Sequence, residues 1–199
     1  MTRTADHPID PMFTERWSPR AFDGTPVTRE ELETIFEAGR WAPSSSNMQP
    51  WRFVYAFRET PAWETLFGLL IPYNQQWVKN TSALVLVASQ KDGPPDRDGN
   101  VKPSHSHSFD AGAAWAMMAL QASRMGLRAH GMAGFDIPRA AEELHVPETF
   151  RVEMMFAVGH PTTDLSVLPE SLAKREMPND RKPLLELAFE GSFSASAAK

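Results

Sequence analysis

The segment from Phe109 to Met125 constrains the fold more than any other part of the chain. Only Asp110, Gln121, Ser123 and Arg124 interrupt a run of small, aliphatic and aromatic residues, and Gly126 follows as a stop. At 3.6 residues per turn this is a helix apolar on nearly every side, and such a helix has to be buried on nearly every side. A chain of 199 residues suits one domain that buries roughly 70% of its unfolded surface. It has little material with which to enclose a helix completely. The segment is therefore expected to be a central helix that also packs against a second subunit.

The rest of the chain supplies elements of both kinds. Thr28-Arg29-Glu30-Glu31 is a capping box, with Leu32, Ile35, Phe36 and Gly39 following at helical spacing and Pro43 ending the helix near Trp41. Residues 51–57 are aromatic and β-branched and read as a strand. A helix is expected from Trp63 to Ile71, stopped at Pro72. Residues 83–88 are apolar at every position, as a strand buried on both faces requires. Residues 91–108, with Gly93, Pro94, Pro95, Gly99 and Pro103, are expected to form a long mobile loop. Strands are expected at 128–135 and 150–158, with a helix opening at Asp136-Ile137-Pro138 between them. No internal repeat is present. Helices alternate with few, scattered strands, which points to an α+β or α/β sandwich and away from a regular doubly wound sheet. The expected organisation is a single domain over 1–199, with a flexible arm at 1–12 and a flexible tail at 192–199.

Composition excludes several chemistries. The chain has no cysteine, so it has no disulfide, no thiolate metal site and no cysteine nucleophile. A formal net charge of −5 disfavours nucleic acid or an anionic membrane as the main partner. The first residues lack the apolar core of a signal peptide, and apolar stretches fall short of the roughly 20 residues of a spanning helix. A cytoplasmic protein is expected. There is no nucleophile elbow, no P-loop and no dinucleotide-binding glycine fingerprint. His105 and His107 lack the third ligand of a metal site, so no metal is assigned.

Three stretches carry candidate chemistry. In extended chain, alternate residues share a face, so Arg16, Ser18 and Arg20 offer two guanidinium forks and a hydroxyl, a set suited to a phosphate. The same residues also fit a solvated basic patch. Ala42-Pro43-Ser44-Ser45-Ser46-Asn47-Met48-Gln49-Pro50-Trp51 places hydroxyls and amides between stiffening prolines. It is a rigid polar loop fit to hydrogen-bond a flat heteroaromatic ring, or else an ordinary Ser/Asn-rich turn. Gly131 to Asp136 ends a strand with glycines that let a backbone NH approach a ligand closely, or simply turns the chain.

Together these stretches resemble the nitroreductase family of FMN enzymes. The matching residues are Arg16-x-Ser18-x-Arg20-x-Phe22, Ala42-Pro43-Ser44-Ser45-x-Asn47-x-Gln49-Pro50-Trp51, Gly131 to Asp136, Gly159-x-Pro161 and Arg181-Lys182-Pro183-Leu184, in the family's order over roughly residues 12–190. The resemblance implies an α+β three-layer sandwich, a central mixed or antiparallel sheet flanked by helices, in an intertwined homodimer with FMN at its interface. It further implies that Arg16, Ser18, Arg20 and Arg181 hold the phosphate and ribityl chain, with the Trp17 backbone beside the ring. Pro43, Ser44, Ser45, Asn47 and Gln49 would reach the same flavin from the other subunit. Gly134 would present its NH towards N5, and Asn74 would bond the pyrimidine edge. NAD(P)H is implied as co-substrate, delivering hydride to N5, after which an electron-poor acceptor takes the same place in a ping-pong cycle. No side-chain acid or base is assigned.

Two departures stand out. Ala133 occupies a position where many members carry glutamate, and Trp77 aligns where well-studied members place a lysine near the pyrimidine edge. They leave open the redox potential and the preferred acceptor. They also leave room for a specialised reductase of a small aldehyde or enone, for a dehydrogenase, or for a non-catalytic FMN-binding protein.

Overall fold

The computed structural model of the chain describes residues 3–193. Four strands form one sheet: β1 (Trp51–Phe57), β2 (Ala83–Gln90), β3 (Arg128–Met132) and β4 (Phe150–Gly159). Their order is β1-β2-β4-β3, and every neighbouring pair is antiparallel. Of the mixed or antiparallel sheet expected, the structure thus takes the antiparallel form. The uniformly apolar β2 lies inside this sheet and is buried from Ala83 to Ser89. Its alternate side chains feed two separate cores, as the pleat dictates. Leu84, Leu86 and Ala88 join one, while Ala83, Val85 and Val87 join the other.

A layer of helices covers each face. On one side α3 (Pro61–Gly68), α4 (Pro72–Val78), α6 (Ile137–Glu143) and α7 (Glu170–Ala173) contribute Trp63, Leu66, Trp77, Ala140 and Leu172 to the core. On the other, α2 (Arg29–Arg40) and α5 (His107–Arg124) contribute Leu32, Ile35, Ala114 and Met118. Each large apolar side chain so buried contributes about 1.5–3 kcal/mol. The result is an α+β three-layer sandwich. Helix α2 is set by its capping box: the Thr28 hydroxyl accepts from the Glu31 amide, and the Glu31 carboxylate accepts from the Thr28 amide. It approaches α5 closely at Gly39, where a Cβ would lie 2.7 Å from Met118 Cγ.

Several boundaries differ from expectation. The helix expected at 63–71 is α3, which starts earlier because Thr60 caps it. Pro72 does not stop a helix but opens α4. Proline suits a first helical position as well as a terminus, because the missing NH would have no intrahelical partner there. Strand β3 stops at Met132, and Phe135 instead forms an isolated bridge with Leu70. Helix α5 starts at His107, inside the stretch expected to be loop. The irregular remainder folds back on itself through Gly93 N to Lys102 O (2.8 Å) and Ser104 N to Lys91 O (2.7 Å). The N-terminal arm carries α1 (Pro11–Glu15), capped by Asp10. The tail expected at 192–199 lies, from residue 194 onward, outside the described residues.

Helix α5 buries Ala111, Ala114, Met118, Ala119 and Ala122 against the sheet and α2. Its other face, with Gly112 and Ala116, is exposed, and at its start Phe109 is 82% exposed.

Candidate functional site

The chain leaves α1 in extended conformation at Arg16, so Arg16 and Ser18 fall on one side, and the Arg16 guanidinium donates to the Ser18 hydroxyl (3.2 Å). The following turn is pinned by Glu176, whose Oε1 accepts from the backbone amides of both Arg20 and Ala21. That carboxylate also lies 3.8 Å from the Arg20 guanidinium. Through this contact the C-terminal segment is laid against the arginine stretch.

A cavity of about 330 Å³ results. Arg16, Trp17, Ser18 and Arg20 line it from one side. Arg175, Asn179 and Arg181 line it from the C-terminal segment, Arg3 from the arm and His130 from β3. The structure thus brings Arg16, Trp17, Ser18, Arg20 and Arg181 to the lining of one cavity. Five guanidinium groups border a single small cavity. Burial pushes the Arg16 pKa down, and the like charges of Arg181, Arg3 and Arg128 add to it. Arg20 Nε is buried without a partner among the described residues. Cations crowded together with unsatisfied donors form a site for a multiply charged anion.

A second cavity, of about 640 Å³, adjoins it and shares Arg16 and Ser18. It lies between α5 and β3, lined by Trp115, Ala119, Leu120, Gly131, Ala133 and Met154. Gly131 leaves room there: a Cβ would sit 2.4 Å from Met154 Cε and 3.1 Å from the Trp115 ring, so both side chains would have to shift. A polyanion site thus continues into an apolar slot large enough for a ring system.

Other expected residues lie elsewhere in the single chain. The loop over Pro43–Gln49 lines neither cavity. It is held in an unusual shape, with positive φ at Ser46 (51°), Asn47 (54°) and Gln49 (49°), conformations that cost energy for residues other than glycine. Among the bonds that hold it are Gln49 N to Ser44 Oγ (3.0 Å) and Ser45 N to the buried carboxylate of Asp110 (3.2 Å). Asn74 is buried, and its amide nitrogen donates to Gly134 O (2.9 Å). Gly134 has no space for a side chain, because a Cβ would lie 2.7 Å from Ile71 Cδ1. Trp77 is fully buried and does not line the cavity. It stacks on Phe22 and packs its indole 4.5 Å from the His130 ring.

The comparisons agree with this architecture. A family model described as the nitroreductase family matches residues 13–160.

The chain belongs to the nitroreductase family.

Its fold is similar to a crystal structure described as an oxidoreductase containing FMN. The TM-score is 0.92 and the identity 49%, over 96% of each chain. Among curated proteins, the chain is 36% identical over 130 residues to an uncharacterized 15.4 kDa protein of the ask 5′ region of Mycolicibacterium smegmatis, covering 65% of this chain and 82% of that one. It is 36% identical over 81 residues to an oxygen-insensitive NADPH nitroreductase of Helicobacter acinonychis, covering 40% and 38%.

Within this nitroreductase scaffold the structure adds residues that sequence reading missed. His130, Arg3, Arg175 and Asn179 line the cation-rich cavity, while Glu176 and Asp110 brace its walls and the loop. None stands in a motif, and a lone histidine or glutamate gives no spacing to read. One of the two histidines considered for a metal, His107, has another use. His107 Nδ1 lies 2.7 Å from Ser89 Oγ, which in turn donates to Glu153, so the ring anchors the start of α5 to the sheet.

Proposed function

We propose that this chain is a cytoplasmic, homodimeric FMN-dependent oxidoreductase. It takes two electrons from NAD(P)H and passes them to an electron-poor acceptor such as a nitroaromatic or a quinone, by a ping-pong mechanism. The observation that carries this reading is the cation-rich cavity opening into an apolar slot. The first matches a phosphate and the second matches a ring. The fit is chemical: phosphate oxygens only accept hydrogen bonds, guanidinium groups only donate them, and Arg20 Nε stands buried and unsatisfied beside them.

In this reading Arg16, Ser18, Arg20 and Arg181 hold the phosphate end, with Trp17 beside them. Among the described residues the Gly134 amide donates to no backbone acceptor, which leaves it free for a ligand. FMN supplies the two-electron redox chemistry when bound, and the protein supplies position and electrostatics. A single slot serves donor and acceptor in turn, which accounts for a chain with no dinucleotide-binding motif. No side chain is assigned as an acid or base. Asn74 spends one amide N–H on Gly134 O and keeps its second N–H and its oxygen for a ligand.

A second copy completes the site. Pro43, Ser44, Ser45, Asn47 and Gln49 form a strained, braced loop that lines neither of the two adjoining cavities. The exposed face of α5 beside Phe109 gives the partner an apolar surface on which to pack. No helix among the described residues is long and apolar enough to cross a membrane.

Steady-state kinetics on the FMN-loaded protein test this reading. Varied NADH or NADPH against a nitroaromatic or quinone gives parallel double-reciprocal lines under the proposal. Turnover confined to small aldehydes or enones would assign a specialised reductase. Bound FMN without turnover would identify a flavin-binding protein.

A further inference from the structure

His130 lies in the cation-rich cavity, and its chemistry differs from that of its neighbours. Its Nδ1 is 2.7 Å from the carbonyl oxygen of Pro19. A carbonyl can only accept, so Nδ1 carries a proton. The ring is held on its face by Trp77, at 4.5 Å, and its backbone is fixed in β3 opposite Ala157. Among the described residues the other ring nitrogen, Nε2, has no hydrogen-bond partner and is not among the sealed, unpartnered atoms, and the residue lines the cavity.

The groups facing this ring are cationic. Arg16 and Arg20 come from its front, Arg175 and Arg181 from the C-terminal segment, and Arg3 from the arm. Glu176, the carboxylate against this arginine stretch, gives its Oε1 to the Arg20 and Ala21 amides, and its Oε2 is buried without a partner among the described residues. Burial, with Arg20 and Arg16 adding to it against the opposing bond to Pro19, lowers the His130 pKa to about 4. Near neutral pH the ring is thus uncharged, and Nε2 presents a lone pair.

The cavity is thus rich in donors, and Nε2 adds an acceptor held in place by the Pro19 bond and the packing of Trp77. The unprotonated oxygens of a phosphate monoester satisfy the arginines and repel that lone pair. A hydroxyl next to the phosphate satisfies it. We propose that His130 Nε2 accepts a hydrogen bond from a hydroxyl of the chain that carries the phosphate. His130 is thereby a residue that selects a polyol or sugar phosphate over phosphate alone. The proposal rests on the FMN reading, in which that hydroxyl belongs to the ribityl chain.

The test compares two probes, FMN and inorganic phosphate, on the wild type, His130→Phe and His130→Gln. FMN binding is followed by fluorescence and phosphate binding by NMR titration. Loss of the acceptor should weaken FMN about tenfold, the order expected when a buried hydroxyl loses its partner. Phosphate affinity should be unchanged, and glutamine, which retains an acceptor, should recover most of the FMN affinity. The ratio of wild-type to His130→Phe affinity for FMN should stay constant from pH 5.5 to 8. Should the phenylalanine variant fail to fold, ¹⁵N spectra of wild-type His130 decide the matter. FMN should shift Nε2 as an acceptor while Nδ1 keeps its proton. Equal weakening of both probes, growing towards low pH, or protonation of Nε2 on binding, would show a charged phosphate ligand and overturn the proposal. So would an unchanged FMN affinity in both variants. A wild type that binds phosphate and not FMN would instead remove the FMN reading.

Discussion

Arg20 shows how one residue is prepared for an anion. Its amide is tied to Glu176, its guanidinium keeps that carboxylate at 3.8 Å, and its buried Nε is left without a partner. A hydrogen bond to a charged group is worth about 1.5–3 kcal/mol. Arg20→Ala should therefore weaken FMN binding roughly ten- to a hundredfold, and unchanged affinity on titration would remove Arg20 from the phosphate site. His130 gives a second residue-scale prediction, for the protein free of flavin. Its folded pKa of about 4 lies below the ordinary value near 6.5 of an unfolded chain. The unfolded state thus takes up the proton first as pH falls. The stability that the neutral ring contributes is whole above pH ~6.5 and is lost between there and pH ~4. That loss is on the order of 3 kcal/mol, at about 1.4 kcal/mol per pKa unit. Denaturant unfolding of the wild type should show this slope, and His130→Gln should flatten it. A wild type equally stable at pH 7 and pH 4.5 would contradict the depressed pKa.

Among the elements, the loop from Pro43 to Gln49 depends most on its surroundings. Three residues with positive φ persist because Ser44 Oγ and the Asp110 carboxylate help to hold the backbone around them. Asp110 also accepts from Ser106, so one buried side chain joins α5, the loop before it and the polar loop. Asp110→Ala should destabilise the protein by about 1–3 kcal/mol, the cost of stranding buried donors. It should also loosen FMN binding, as read by denaturant midpoints and by flavin titration. Full stability in that variant would show that Ser45 does not need the bond. This loop was legible in the sequence as a polar turn between prolines, but its brace was not, because Asp110 lies far along the chain. Helix α2 was legible to its ends, since its capping box and apolar spacing are local signals. Helix α4 was not, because Pro72 opens a helix as readily as it closes one. The start of α5 was hidden for a different reason. Histidine and serine carry no helical preference, and a tertiary network through Ser89 and Glu153 recruits them.

For the whole molecule, helices alternating with few strands pointed to an α+β or α/β sandwich, and the resemblance to the nitroreductase family implied its three layers. The structure builds it with one core on each face of the sheet. The arginine half of the site was legible because alternation in extended chain places Arg16, Ser18 and Arg20 on one side. Its completion by His130, Arg175 and Arg3 was not, since these meet only through tertiary packing. The placement of Trp77 could not be read either: an aligned position gives no direction, and here the indole is buried behind His130.

One measurement bears most directly on the proposal that this nitroreductase-family chain is an FMN oxidoreductase. The visible absorption spectrum of the purified protein, incubated with FMN and freed of excess, is recorded before and after anaerobic addition of NADPH or NADH. The account predicts a bound-flavin spectrum that bleaches with at least one donor. A protein that retains no flavin, or a bound flavin that neither donor bleaches, would contradict it.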